Sequence, residues 1–196
     1  MKAFGFFAMA SRMKLIARWG LMRNAMKETL SEHSFDTAVI AHALANIGST
    51  YFGKQVDAGE VAAAALFHDM PEILTGDMPA PVKHHNPEIR SAYKGVEATA
   101  SKSLLSMLPR ELRPKYEFLF AFDVEKPELY IYIKAADKIS AYLKCIEELK
   151  YGNHEFTNAA NGLREAVHAL GLPEADYYMA HFAPAFELTL DELQAK

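Results

Sequence analysis

A histidine and an aspartate stand side by side at His68-Asp69, at the end of an alanine-rich apolar run. Imidazole nitrogens and carboxylate oxygens are both ligands of divalent metal ions, so the pair is a candidate metal site. Glu72 follows three residues later and offers a carboxylate that could give or take a proton. Alone the dipeptide is a weak indication, because a buried histidine beside an aspartate is the ordinary explanation. A metal site would need ligands from other segments.

The helix that leads to this pair is predicted to end at it. Asp57 and Glu60 have the spacing of an N-cap and the third residue of a helix. Pro71 lacks an amide N–H and disfavours helical angles in the preceding residue, so the helix should end at or just after His68-Asp69. A bend there would let two adjacent side chains converge on one ion, whereas neighbours inside a regular helix point about 100° apart.

A second histidine, His33, lies near the start of another predicted helix. Thr29 and Glu32 fit a capping box for this helix, although Ser31 is an equally good N-cap. His33 would share one face with the apolar residues that follow it. A histidine on such a face is more often a core residue than a ligand, and the His-Asp pair downstream makes the two interpretations equal alternatives.

Asp137 is the residue that fits a purely structural role least well. It lies between Ala136 and Ile139, in the middle of a helix predicted from about Pro127 to Gly152. A buried carboxylate is costly unless it has a cation, a hydrogen-bond network or a water-filled cavity. Asp137 therefore needs a partner of one of these kinds.

Together, His33, His68, Asp69 and Asp137 make a set of two imidazoles and two carboxylates. Such mixed ligands suit Mn²⁺, Co²⁺, Fe²⁺, Ni²⁺ or Zn²⁺ better than Ca²⁺. On an ion that accepts six ligands, positions remain for water and a phosphate oxygen. Bound water would have a lowered pKa and charge on phosphorus would be offset, which is the usual route to metal-assisted phosphate-ester hydrolysis. Glu72 would then act as general acid or base.

Two further regions could line the same pocket. Arg18 and Trp19 end a predicted amphipathic helix over residues 4–19, and Gly20 is the expected C′ residue just past its end. The guanidinium could hold a phosphate while the indole packs on a sugar or base, although a solvated arginine and a core tryptophan are the usual explanation. Residues 73–83 contain a glycine and two prolines and are predicted to be an ordered turn and not a helix.

The chain of 196 residues is predicted to be all-α and to form one domain over 1–196. Further helices are predicted over 88–107, 155–170 and 174–186, and strand-like alternation is nearly absent. A net charge of −4 argues against a nucleic-acid-coating surface, and no apolar stretch is long enough to span a membrane. The single cysteine, Cys145, excludes an internal disulfide and fits a reducing cytoplasm.

Several blocks spread over nearly the whole chain resemble the HD-domain metal-dependent phosphohydrolases, and more narrowly their bacterial 5′-deoxynucleotidase (YfbR-like) branch. These blocks are residues 11–19, 31–34, His68-Asp69 with 74–77, and 134–137 with 141–145. The resemblance implies an HD-domain helical bundle, a homodimer, and hydrolysis of deoxyribonucleoside 5′-monophosphates to deoxynucleoside and phosphate.

The resemblance also implies roles for individual residues. The four candidate ligands would hold one divalent transition metal, and Arg18 would orient the phosphate. Trp19 would shape the sugar pocket against a 2′-hydroxyl, because a bulky ring rejects an added hydroxyl by a steric clash. Glu72 would serve the proton transfer, and Pro71 directly before it is a departure that bears on its position. The implied substrate-binding residues are Arg18, Trp19, His33, Asp69, Asp77, Met78, Pro79, Ala80 and Asp137.

Two other interpretations stay open. The first is an HD phosphohydrolase of nucleoside triphosphates or cyclic nucleotides. Triphosphates would demand more basic residues than Arg18 and Lys83, and a two-metal phosphodiesterase would need extra ligands such as His84 or His85. The second is a non-catalytic nucleotide-binding module with a structural metal. Arg18, Glu72 and Asp77 argue against it, because a structural site has no use for them.

Overall fold

The computed structural model describes residues 3–83 and 85–195 of the chain. Within these ranges the protein is all-α, as predicted: no strand is present, and an isolated antiparallel bridge joins Ala17 to Thr29. The α-helices of the described ranges are α1 (Phe6–Ala10), α2 (Leu30–Tyr51), α3 (Ala58–Phe67), α4 (Glu72–Thr75), α5 (Ala80–Lys83), α6 (Pro87–Ser106), α7 (Arg113–Phe120), α8 (Phe122–Glu125), α9 (Pro127–Lys150), α10 (Thr157–His168), α11 (Pro173–His181) and α12 (Leu190–Gln194). None of them combines the length and the hydropathy needed to cross a bilayer.

Three helices that begin where the sequence predicts form the centre of the fold. Thr29 caps α2 in a complete capping box, in which the Glu32 carboxylate accepts the Thr29 N–H at 2.7 Å. Asp57 caps α3 by accepting the Glu60 N–H at 3.0 Å. Pro127 starts α9, where its missing N–H costs nothing. These three starts confirm the predicted caps.

Helix α2 packs against both α3 and α9 across one apolar core. Fully buried alanines on the three helices, Ala41, Ala65 and Ala136, leave room for the backbones to approach closely. Larger side chains such as Leu44 and Ile139 fill the remaining space. This packing brings the start of α2, the end of α3 and the middle of α9 to one place.

The N-terminal region does not form the single helix predicted over residues 4–19. Helix α1 ends at Ala10, a 3₁₀ turn spans Ser11–Leu15, and Ile16 has extended backbone angles. The reason is a long-range pairing: the Leu30 N–H donates to the Ile16 carbonyl at 2.9 Å, so the backbone bonds to the segment before α2 instead of to itself.

Arg18 and Trp19 consequently lie on an irregular segment and not at a helix end. The Arg18 N–H donates to the Glu28 carbonyl at 3.0 Å. Trp19, and not Gly20, adopts the left-handed backbone conformation, with φ of 59°. This conformation costs a residue with a Cβ about 1–2 kcal/mol, so other contacts must hold Trp19 in it. The prediction that Gly20 ends a helix is wrong.

Residues 73–83 form more helix than predicted. Single helical turns, α4 and α5, flank an extended stretch that begins at Gly76, whose φ of 76° suits glycine. Pro81 is tolerated because it stands in the first turn of α5. A proline in this segment therefore lies at the start of a helix, whereas the sequence had indicated only a turn. Elsewhere α6 and α10 agree with prediction, while 174–186 divides into α11 and a 3₁₀ turn.

A buried carboxylate on α9 holds the loop that precedes α2. Glu148 is fully buried and accepts the N–H groups of Ala25 at 2.8 Å and Met26 at 3.0 Å. It also accepts from Lys144 Nζ at 2.5 Å and Asn153 Nδ2 at 2.7 Å. Burial would raise the pKa of Glu148, but Lys144 and these N–H donors lower it to about 2.

We predict that Glu148→Gln destabilises the protein in a pH-dependent way. At pH 7 the loss should be about 3 kcal/mol, because the pKa falls from 4.5 to about 2 and each pKa unit corresponds to about 1.4 kcal/mol. The folded pKa lies below the ordinary value of 4.5, so the wild-type advantage is complete above about pH 4.5 and disappears as the pH falls towards 2. Urea unfolding at several pH values measures the free energy of unfolding of both proteins. Glu147→Gln, at the exposed neighbouring glutamate, is the control. Equal losses in both variants would contradict the prediction.

Candidate active site

The structure brings the four predicted ligands together. Helix α2 carries His33 in its first turn, and α9 carries Asp137 near its middle. Helix α3 ends at Phe67, and the chain bends through His68 and Asp69 so that the two adjacent side chains converge. One potential ligand atom from each of the four residues lies within 4.8 Å of all the others.

The separations of these atoms suit a single ion. His33 Nε2 lies 3.1 Å from Asp137 Oδ1 and 3.6 Å from Asp69 Oδ2, and His68 Nε2 lies 3.1 Å from the same Asp69 oxygen. Two ligands that are each about 2.1 Å from one ion and about 90–110° apart lie about 3.0–3.4 Å from each other. Both Nε2 atoms are buried without a hydrogen bond among the described residues. A divalent ion would satisfy them.

The other ring nitrogen of each histidine already has a partner. His33 Nδ1 lies 3.1 Å from the Ser140 hydroxyl, and His68 Nδ1 donates to the Ala65 carbonyl at 2.7 Å. A carbonyl can only accept, so the His68 Nδ1 carries a proton and the neutral ring presents the Nε2 lone pair to the cluster. The surroundings thus hold His68 in the tautomer that a metal ion requires.

Both carboxylates of the cluster have lowered pKa values and are therefore ionised, as metal ligands must be. Burial would raise the pKa of Asp69, but the charges of His68, His33 and Arg18 lower it well below its usual range. The side chain of Asp137 is 41% exposed, and partial desolvation opposes its ionisation, but the hydrogen bond and charge of His33 lower its pKa. Burial would lower the pKa of His68, yet Asp69 raises it to about 9. A metal ion would take the place of that proton.

Glu72 lies beside the cluster at the start of α4 and is only 4% exposed. Burial, and then the charge of Asp69, raise the pKa of Glu72 to about 8, although Lys83 Nζ at 3.4 Å from its Oε1 opposes the shift. A carboxyl with this pKa holds a proton near neutrality and can exchange it, which is what a general acid or base must do. Pro71 is the N-cap of α4, so it sets the turn that carries Glu72.

Arg18 borders the cluster, with Nη1 3.6 Å from Asp69 Oδ2. Its Nε donates to Glu28 Oε2 at 3.1 Å, and the Trp19 indole N–H donates to the same oxygen at 2.7 Å. The indole also packs on Phe156, with ring centres 5.3 Å apart. Arg18 and Trp19 are thus tied to one carboxylate beside the predicted ligands.

The predicted nucleotide-binding segment leads from α4 to α5. Asp77, Met78 and Pro79 are half-buried, and Ala80 begins α5. The charge of Asp77 also raises the pKa of Glu72, by less than burial and the charge of Asp69 do. Contact of this segment with a nucleotide stays a prediction.

The second-metal alternative gains no ligand from the described residues. His85 is exposed and is not part of the cluster, and His84 lies outside the described residues.

Two residues of the site, Ser140 and Glu28, were not predicted from the sequence. Ser140 follows Asp137 by three positions, so helical periodicity could have placed it on the same face of α9. Lys83 was named from the sequence only as a basic residue, and the structure shows that it links α5 to α6, because its Nζ also lies 2.9 Å from Glu97 Oε1. Glu28 is a loop glutamate with no local sequence signature, and only the fold shows what it contacts.

The fold is that of the HD-domain phosphohydrolases. An HD-domain phosphohydrolase from Listeria innocua superposes with a TM-score of 0.81 at 20% identity, over 97% of this chain and 92% of that one. The cyanophage S-2L HD phosphohydrolase, solved with dA and one catalytic Zn²⁺ ion, gives a TM-score of 0.64 at 22% identity, over 90% and 95% of the two chains. Likeness at such identities establishes the fold, and the predicted HD-domain helical bundle is confirmed.

Sequence comparison defines the family more narrowly. Residues 5–186 match the family described as 5′-deoxynucleotidase YfbR-like. A 5′-deoxynucleotidase of Vibrio atlanticus is 48% identical over 194 residues, which cover 98% of this chain and all of the relative. One of Vibrio vulnificus is 49% identical over 189 residues, 96% and 97% of the two chains. The chain belongs to the YfbR-like 5′-deoxynucleotidase family, and it is an enzyme.

We predict that Asp137→Ala abolishes tight binding of a divalent ion, because the variant removes one of the two carboxylates that face His33. Protein reconstituted with Mn²⁺, Co²⁺ or Zn²⁺ and then dialysed should hold well under half of the wild-type metal per chain, measured by plasma mass spectrometry. Asp123→Ala removes an exposed aspartate and is the matched control. Wild-type metal content in Asp137→Ala would contradict the ligand set.

Proposed function

We propose that this protein hydrolyses deoxyribonucleoside 5′-monophosphates to deoxynucleoside and phosphate at the cluster of His33, His68, Asp69 and Asp137, with one divalent transition metal. The observation that carries the proposal is the convergence of two buried imidazole nitrogens, neither hydrogen-bonded among the described residues, with two carboxylates beside Arg18, whose side chain is 12% exposed. When bound, such an ion lowers the pKa of a water and offsets charge that develops on the phosphoryl group.

Arg18 binds and orients the phosphate in this proposal. Burial would lower the pKa of its guanidinium, but Asp69 and Glu28 raise it, so the group stays charged out of bulk water. A guanidinium presents planar pairs of N–H donors that match phosphate oxygens. Glu28 occupies Nε, which leaves donors of the Nη groups for the substrate.

Glu72 serves the proton transfer in this proposal, as general acid or base. As an acid it would donate its proton to the leaving 5′-oxygen, which departs poorly as an alkoxide. Its raised pKa keeps the proton available near neutrality, and Lys83 at 3.4 Å would stabilise the carboxylate that remains. The second carboxylate oxygen, Oε2, is buried without a hydrogen bond among the described residues.

Trp19 selects the sugar in this proposal, and the segment from Asp77 to Ala80 contacts the nucleotide. An apolar ring that fills the space beside C2′ leaves no room for a hydroxyl. Rejection of one added hydroxyl by such a surface is about 10²-fold at most. Discrimination between deoxyribose and ribose should therefore be clear but finite.

Further proposals concern the setting of the enzyme. The ligands suit Co, Mn, Fe, Ni or Zn, and the Zn²⁺ of the cyanophage neighbour supports an ion of this class. We propose that residues 1–196 act as one HD domain, as the chain length allows, and that two copies form a homodimer, as the family resemblance implies. The cytoplasm is the proposed compartment, because the single cysteine fits a reducing environment. Light scattering of the purified protein tests the dimer.

We predict that the metal-stripped protein releases no phosphate from dAMP and that added Mn²⁺, Co²⁺ or Zn²⁺ restores release. AMP should be hydrolysed at least tenfold less efficiently, because its 2′-hydroxyl meets Trp19. Asp137→Ala should be inactive with every ion. Phosphate release under initial-rate conditions measures all three.

The same assay distinguishes the alternatives. Metal-loaded protein that leaves both monophosphates intact but hydrolyses a nucleoside triphosphate or a cyclic nucleotide would replace the proposal with another HD phosphohydrolase activity. Nucleotide binding without turnover of any of them would indicate a binding module.

A further inference from the structure

Glu28 connects two residues of the proposed site through one buried carboxylate oxygen. Its Oε2 accepts from Arg18 Nε at 3.1 Å and from Trp19 Nε1 at 2.7 Å, and the residue is 8% exposed. Glu28 lies outside the sequence blocks that carry the family resemblance. The group that binds phosphate and the group that selects the sugar thus share one acceptor.

Backbone hydrogen bonds on and beside Glu28 fix its position in the fold. The Glu28 carbonyl accepts the Arg18 N–H at 3.0 Å, and the adjacent residues Ala17 and Thr29 form the antiparallel bridge. Thr29 is in turn the N-cap of α2, the helix that carries a proposed metal ligand in its first turn. The carboxylate of Glu28 is therefore held at a set distance from the start of α2.

The contact with Glu28 restricts both Arg18 and Trp19. With Nε bound to Glu28, the guanidinium of Arg18 cannot rotate freely, and Nη1 points towards Asp69. Trp19 has the unfavourable φ of 59°, a conformation that persists only where surrounding contacts impose it. The indole N–H bond to Glu28 and the packing on Phe156 are contacts of this kind.

We propose that Glu28 is the positioning residue for sugar discrimination: it holds the Trp19 indole and the Arg18 guanidinium as one unit, so that a phosphate bound by Arg18 places C2′ of the substrate against the ring. The inference rests on the proposed function for the roles of Arg18 and Trp19. If Glu28 has this role, discrimination between deoxyribose and ribose depends on Arg18, Trp19 and Glu28 together.

Three substitutions separate geometry from charge. Glu28→Ala removes the acceptor, and the ratio of kcat/KM for dAMP to that for AMP should fall at least tenfold, towards the ratio of Trp19→Ala. Glu28→Gln keeps a carbonyl oxygen of the same reach and should retain the ratio within about threefold. Glu28→Asp keeps the charge but is one methylene shorter, so its ratio should fall even if Glu28→Ala does not fold.

Trp19 is the single tryptophan of the chain, so its fluorescence reports the contact without substrate or metal. In Glu28→Ala the indole should be quenched more strongly by acrylamide and emit at a shifted wavelength. In Glu28→Gln both properties should stay near those of the wild type. Glu32→Gln is the control, because Glu32 caps α2 through Thr29 and does not contact the indole.

The two proposals fail in different ways. A wild-type enzyme that does not turn over dAMP, or that hydrolyses dAMP and AMP equally, overturns the proposed function. A wild-type enzyme that discriminates, together with folded Glu28→Ala and Glu28→Asp variants of unchanged ratio and unchanged quenching, overturns the role of Glu28. A loss of ratio in Glu32→Gln as large as in Glu28→Ala would also overturn it, because any damage near the start of α2 would then suffice.

Discussion

The carboxylate of Asp69 is the point on which the rest of the structure depends. Its Oδ2 lies 3.1 Å from His68 Nε2 and 3.6 Å from both His33 Nε2 and Arg18 Nη1. A charge removed from water is costly unless partners surround it, and these partners come from three separate segments. The N-terminal segment, the start of α2 and the end of α3 must therefore meet at this carboxylate. Such a requirement favours one arrangement of the helices over its competitors.

The bend after α3 meets this requirement with few residues. Adjacent side chains in a continuous helix would diverge, so the break that Pro71 enforces lets His68 and Asp69 converge. The same proline begins the turn of α4, which carries Glu72 back towards the cluster. The proposed metal site and the proposed proton-transfer residue are thus products of one local interruption in the helix.

The parts of the fold that could be predicted are those encoded locally. Caps such as Thr29 and Pro127 have short-range signatures, and a mid-helix aspartate such as Asp137 is conspicuous in any apolar helix. The irregular path of residues 16–19 depends on backbone pairing with residues 28–30, which hydrophobic periodicity does not encode. Single helical turns such as α4 and α5 are too short to show a period. Glu28 is informative only through its neighbours in space.

The wide separation in sequence of His33 and Asp137 has a consequence for the life of the protein in the cell. Segments this far apart meet only in the folded chain, so an ion bound by them binds the native state and not the unfolded one. Such selective binding adds to stability by mass action, by about 2.7 kcal/mol when the free ion exceeds its dissociation constant a hundredfold. Starvation for the ion would then lower the amount of intact protein as well as its turnover, and the supply of metal would act on abundance through proteolysis.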